Sequence, residues 1–153
     1  AFHPNGWNGW SLTYPKLYNS YLETTANLGN CSGLDRYGML FRASYDSNTG
    51  STSGYMFGLS CDGSYELVKI SNNSFSDLIK WTKSDVILTG QGQINRLGIM
   101  TKANTITLYV NGNKLQEITD NSYADGTFGF FIASENTQNF SVKYDEVAYW
   151  NVP

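Results

Sequence analysis

The chain has 153 residues and a formal net charge of −3, with 10 Lys and Arg against 13 Asp and Glu; that length suits one domain, 1–153, burying about two-thirds of the surface its unfolded form exposes. An acidic chain without a basic stripe cannot neutralise a phosphate backbone, which argues against nucleic-acid binding, and no apolar run approaches the roughly 20 residues needed to cross a membrane. Aromatics are the outlier: 4 Trp, 11 Tyr and 8 Phe make 15% of the chain, a density that fits pleated, half-buried surfaces and disfavours helical bundles and disorder.

Residues 1–19 are rich in Trp, Pro and Asn and show no strand periodicity. Within them Trp7 and Trp10, in Asn5-Gly-Trp-Asn-Gly-Trp10, either cover a sheet edge or form an exposed patch. Strands are expected at 20–26, 36–45, 55–61, 65–70, 77–81, 95–101, 105–111, 115–119, 127–133 and 139–150, each bounded by Gly, Asn, Asp or Ser. The second of these puts Tyr37, Met39, Phe41 and Ala43 on one face and leaves Gly38, Leu40, Arg42 and Ser44 on the other. Loop 46–53 then reverses the chain in a hairpin centred near Thr49. In that register Cys61 lies opposite residues in the mid-thirties, so the loop holding Cys31 can approach it. A Cys31–Cys61 disulfide is the reading that follows, closing a loop of roughly 30 residues and contributing about 3 kcal/mol; two buried free thiols are the alternative.

Asp62-Gly63 turns the chain between the next two strands, and at most one helical turn is expected around 76–79. Further on, Ile106, Leu108 and Val110 point one way, and Asn111-Gly112 supplies the positive φ of a tight hairpin. Phe128, Phe130 and Ile132 alternate against Gly129, Phe131 and Ala133; with Phe41, Phe57 and Phe140, the phenylalanines Phe128 and Phe130 are core candidates. Ten short strands with close turns and little helix signal predict an all-β, antiparallel two-sheet sandwich.

Several runs carry a resemblance: Cys31-Ser-Gly-Leu-Asp-Arg-Tyr-Gly-Met-Leu-Phe-Arg42, Gly54-Tyr-Met-Phe-Gly-Leu-Ser-Cys-Asp-Gly-Ser-Tyr-Glu-Leu67, Gly90-Gln-Gly-Gln-Ile-Asn-Arg-Leu-Gly98, Ile106-Thr-Leu-Tyr-Val-Asn-Gly112, Gly126-Thr-Phe-Gly-Phe-Phe-Ile132 and Val142-Lys-Tyr-Asp-Glu-Val-Ala-Tyr-Trp150. Over residues 20–150 these resemble the laminin-G-like branch of the concanavalin A-like lectin and glucanase superfamily, as found in secreted or surface bacterial proteins. The resemblance implies a jelly-roll β-sandwich with a concave, often glycan-binding face; the fold also hosts hydrolases and adhesion spacers. Glucanases of the superfamily carry two glutamates around an aspartate on one strand. The five glutamates here (23, 66, 117, 135 and 146) are not so spaced, so a non-catalytic module is expected. Many such jelly rolls hold a structural calcium through an aspartate on the last strand, which Asp145 would match. The alternative is a turn cap or an ion pair. One histidine, His3, and two separated cysteines cannot assemble a zinc site.

Sugar binding needs flat aromatic faces and fixed polar groups beside them. Arg42 projects from mid-strand beside Gly58 or Ser60 of the neighbouring strand, with Glu66 placed to orient its guanidinium; a structural Arg–Glu pair is the plain alternative. Trp81 and Tyr109 are the stacking candidates, followed by Trp7, Trp10, Tyr45 and Tyr55. Asn95-Arg96 is either a site or a turn-to-strand anchor. The expected function is thus an extracellular or cell-surface recognition module that binds a glycan on its concave sheet and rim loops. The disulfide and a start at Ala1-Phe2 without an apolar leader fit that compartment. The rival is a surface assembly or adhesion subunit that uses the aromatic N-terminal segment for protein contact.

Overall fold

Strand formation follows the alternation of apolar and small polar residues along the chain. The structure is a computed structural model that describes residues 7–153. Its strands are β1 (Trp7–Leu12), β2 (Ser20–Leu28), β3 (Arg36–Asp46), β4 (Ser51–Ser60), β5 (Ser64–Ser71) and β6 (Ser74–Lys83). They continue with β7 (Ile94–Lys102), β8 (Thr105–Val110), β9 (Asn113–Thr119), β10 (Thr127–Ser134) and β11 (Val142–Asn151). Among the described residues there is no helix long and apolar enough to cross a membrane. His3 and the ring of Trp7, both considered above, lie outside the described residues.

The strands form two antiparallel sheets, ordered β1-β10-β3-β4-β5-β6 and β11-β2-β7-β8-β9, stacked as the expected β-sandwich. Between them lies the main core. Tyr37, Met39, Phe41, Phe57, Leu59 and Leu67 come from the six-stranded sheet, and Leu22, Leu97, Ile99, Ile106, Leu108 and Val110 from the five-stranded one. The expected core phenylalanines belong to this cluster, with Phe130 packed at its margin. Tyr144 of β11 reaches across the core: its hydroxyl accepts from Gly38 N at 2.7 Å and donates to Phe131 O at 2.6 Å, between two residues that are paired across β3 and β10.

A smaller cluster, Leu40, Ala43, Met56, Val68, Ile70 and Phe131, sits on the outward face of the six-stranded sheet with Trp10 and Leu12 packed against it. Leu40 is fully buried there.

Cys31 and Cys61 are disulfide-bonded, as the hairpin register allows; Cys61 N donates to Asp35 O at 2.9 Å. Beside them the fully buried Asp35 accepts four backbone N–H bonds, from Ser32, Glu135, Asn136 and Thr137, at 2.6–3.1 Å. Burial pushes its carboxyl up, but these donors outweigh it and hold it below the ordinary aspartate value.

Four expectations are corrected. The N-terminal segment contributes a strand, β1, which pairs with β10 from Trp7↔Ser134 to Leu12↔Gly129 and forms the sheet edge. Residues 76–79 are extended within β6, where register shifts between Tyr65 and Val68 break the alternation that a strand would otherwise display. The β3–β4 ladder runs on to Asp46↔Ser51, so the loop is shorter than 46–53. Finally, a bulge between Phe41 and Ser44 puts Ala43 on the outward face, opposite to the strict alternation.

Candidate functional site

The same bulge redirects Arg42. Its backbone takes φ 46°, and its side chain is 3% exposed. Nη1 donates to Ala103 O at 2.8 Å and Tyr123 O at 3.1 Å, and Nη2 to Tyr18 O at 3.3 Å. Arg42 therefore does not stand beside Glu66. Opposite Ser60 is Arg36, with Gly38 opposite Gly58 and Gly58 opposite Glu66, so these residues share the outward face of the six-stranded sheet.

There Arg36 forms a fork between two carboxylates. Nη1 lies 3.5 Å from Glu66 Oε1 and Nη2 lies 2.9 Å from Glu135 Oε1. Glu66 is 4% exposed. Burial pushes its carboxyl up to about 7, against the pull of Arg36 and with Asp77 adding to the rise.

Arg36, Glu66 and Asp77 line a hollow of about 230 Å³, together with Trp10, Met56, Val68, Phe75 and Phe131. Trp10 and Phe75 form one wall, with ring centroids 6.4 Å apart and planes at 70°. Trp10 is fixed by its Nε1 donating to Thr52 Oγ1 at 3.3 Å. Two glycines on the same face of the sheet, Gly38 and Gly58, leave no room for a side chain. A Cβ at Gly38 would strike the Phe57 carbonyl and the Phe131 ring, and one at Gly58 would meet Phe131 Cζ at 3.2 Å and Glu66 Cγ at 3.3 Å. Flat rings beside rigid charged groups in a concavity suit a ligand with both apolar faces and hydroxyls.

The four residues singled out from the sequence are not brought together. Glu66 lines the hollow. Arg42 is bound among backbone carbonyls at one end of the sandwich. Trp81 is half-buried on the edge strand β6, away from the lining. Tyr109 lies on the other sheet, edge-on to Tyr21 with centroids 6.0 Å apart.

Tyr55 is fully buried, its hydroxyl donating to Asp120 Oδ1 at 2.5 Å, whereas Tyr45 is 61% exposed. Asn95 is a buried anchor, donating to Tyr37 Oη at 2.9 Å and Leu88 O at 2.8 Å. Arg96 points outward between Glu23 and Glu146, at 3.0 Å from each. Asp145 pairs with Lys143 at 2.7 Å, and no group of three or more His, Cys, Asp or Glu side chains among the described residues could hold a metal ion. That is a poor fit to calcium, which takes six to eight oxygens.

Sequence reasoning missed Arg36, and it named Trp10 only as a secondary stacking candidate. The signal for Arg36 was present, because it continues the alternation Gly38, Leu40 by one step towards the N-terminus. For Trp10 the choice between edge cover and exposed patch stayed open, since a six-residue edge strand holding Gly9 and two Trp has no legible period.

No family model and no curated protein sequence matches the chain. Solved structures do. A carbohydrate-binding module of family 66 from Bacillus subtilis superposes with a TM-score of 0.75 at 14% identity, covering 96% of this chain and 83% of that one. Sheep galectin-11 gives 0.62 at 12% identity, with 97% and 99% covered. A candidate glycosyl hydrolase of Parabacteroides distasonis gives 0.65 at 14% identity, with 93% and 76% covered. At these identities the likeness establishes the concanavalin A-like sandwich fold.

Proposed function

We propose that this chain is a non-catalytic carbohydrate-recognition domain and that the hollow on the outward face of its six-stranded sheet is the sugar site. The observation that carries the reading is the convergence of Arg36, Glu66 and Asp77 with the rings of Trp10 and Phe75 around one cavity. A sugar ring lays its apolar C–H face on the aromatic wall, while its hydroxyls donate to Glu66 and Asp77 and accept from Arg36. Because Arg36 is already held by Glu66 and Glu135, it is positioned before the ligand arrives, and little ordering cost remains. The kinship of fold with a carbohydrate-binding module and galectins supports the same reading, as does the resemblance to laminin-G-like domains. The Cys31–Cys61 disulfide supports an oxidising, extracellular setting.

The test is a glycan panel probed with the full chain, with Arg36→Ala and with Phe75→Ala. Binding that falls at least tenfold in both variants, with no hydrolysis of the bound glycan, is the expected result. Equal binding by wild type and both variants would remove the hollow from the site. Turnover lost in Glu66→Gln would replace recognition by hydrolysis.

A further inference from the structure

The hollow does not end at Trp10. A second depression, about 420 Å³, lies on the far side of that ring and runs to Tyr45 between Leu12, Gly50, Thr52 and Asn73. A third, about 660 Å³, shares Leu12 and Tyr45 with it and ends at Lys16, Arg42 and Asp125. Trp10 is common to the first two and Tyr45 to the last two, so the three depressions adjoin in series as a groove that these two side chains divide. Along β3 it spans from Arg36 to Ala43, roughly 23 Å at about 3.3 Å per strand residue.

The chemistry changes along its length. At the Arg36 end carboxylates outnumber cations. At the far end two cations face one carboxylate, and one of the cations is exceptional. Arg42 is almost wholly buried, contacts no carboxylate among the described residues, and satisfies its Nη atoms on backbone carbonyls alone. Its Nε has no acceptor among the described residues. A buried charge ordinarily has a counter-charge; here three carbonyl dipoles substitute for one, and the positive potential is left to the cavity that Arg42 lines. Lys16 beside it is two-thirds exposed and is held by Asp125 at 3.0 Å. Tyr14 is 99% and Tyr45 61% exposed at the same hollow, which supplies ring faces without a packing role.

Resting on the carbohydrate reading above, we propose that the far end of the groove is a subsite for an acidic sugar, so that the ligand is an anionic oligosaccharide spanning both ends. Its carboxylate or sulfate takes Lys16 from Asp125 and sits in the field of Arg42, with Tyr14 and Tyr45 against its ring. The two acid groups share this chemistry, and the probes separate them.

The full chain is titrated calorimetrically with tetragalacturonate, with a sulfated galacto-oligosaccharide and with a neutral galacto-oligosaccharide of matched length. At least one acidic probe is expected to bind tenfold or more tighter than the neutral one. Lys16→Gln should bring that ratio below about three, and Asp125→Asn should raise the acidic affinity several-fold by freeing Lys16. Arg36→Ala, acting at the other end, should weaken every probe that binds. A neutral probe that binds as tightly as both acidic ones, or a preference that survives Lys16→Gln, overturns the subsite. If no probe binds while the panel still identifies an Arg36-dependent neutral glycan, the acidic subsite falls and the carbohydrate reading stands. Loss of both would reject the two together.

Discussion

Glu66 is a buried carboxylate lining the outward hollow, and replacing it with glutamine should make the protein more stable at alkaline pH. In the unfolded chain the group titrates at its ordinary value of 4.5; in the fold, burial moves it up to about 7. Between those values the folded state binds more protons than the unfolded one, so stability falls as pH rises through the window and is fully reduced above it. Each tenfold change in proton affinity is worth about 1.36 kcal/mol, which puts the cost of ionising Glu66 in place at about 3 kcal/mol. Glutamine keeps an acceptor for Arg36 and carries no charge. The assay is urea unfolding followed by Trp fluorescence, at half-unit steps from pH 4.5 to 8.5, for wild type and Glu66→Gln. Taking the difference cancels Asp35, Asp62 and Asp120, whose carboxyls are held low and titrate alike in both proteins. The stability difference should grow by about 3 kcal/mol across the window, equivalent to a midpoint gap of roughly 6–12 °C for a chain of this size. A difference that stays flat, or one that turns against the variant as pH rises, refutes the reasoning. A flat difference would mean that the ion pair with Arg36 offsets burial, and a reversed one that it outweighs burial.

Two further outcomes follow from the packing. Gly129 lies where β10 meets β1, and a Cβ there would press on the Ser11 and Leu12 backbone; Gly129→Ala should displace β1, cost about 1–3 kcal/mol, and show faster amide exchange at residues 9–12 together with weaker glycan binding, whereas unchanged exchange would show that the edge strand absorbs the methyl group. The Cys31→Ser, Cys61→Ser double variant opens a loop with a sequence separation of 30 and should lose about 3.5 kcal/mol in urea unfolding, a loss under 1 kcal/mol being incompatible with the chain-entropy account.

Much of the architecture was legible because alternation is a local property. Phe128, Phe130 and Ile132 face the core and Phe131 and Ala133 face away, as a period of two demands. The hairpin near Thr49 was equally local, and it carried the disulfide with it through pairing register. What failed was any statement that had to cross a bulge. Alternation carries Arg42 to the face of Glu66 only if β3 is regular; a single extra residue between Phe41 and Ser44 turns it into the sandwich end instead. Arg36 lies on the regular part of the same strand and was within reach of the argument. Trp10 was named as a candidate, but its surroundings were not legible, because they come from Phe75, Thr52 and the other strands of the sheet, none of them near it in sequence.

The Tyr144 hydroxyl stands where Gly38 N–H and Phe131 C=O would otherwise have met. It acts as a shim that holds β3 and β10 a phenol oxygen apart beneath the floor of the hollow. The spacing of these two strands beneath the hollow is thereby set from the opposite sheet. A change at position 144 would therefore act on the hollow from beneath, without replacing any residue that lines it.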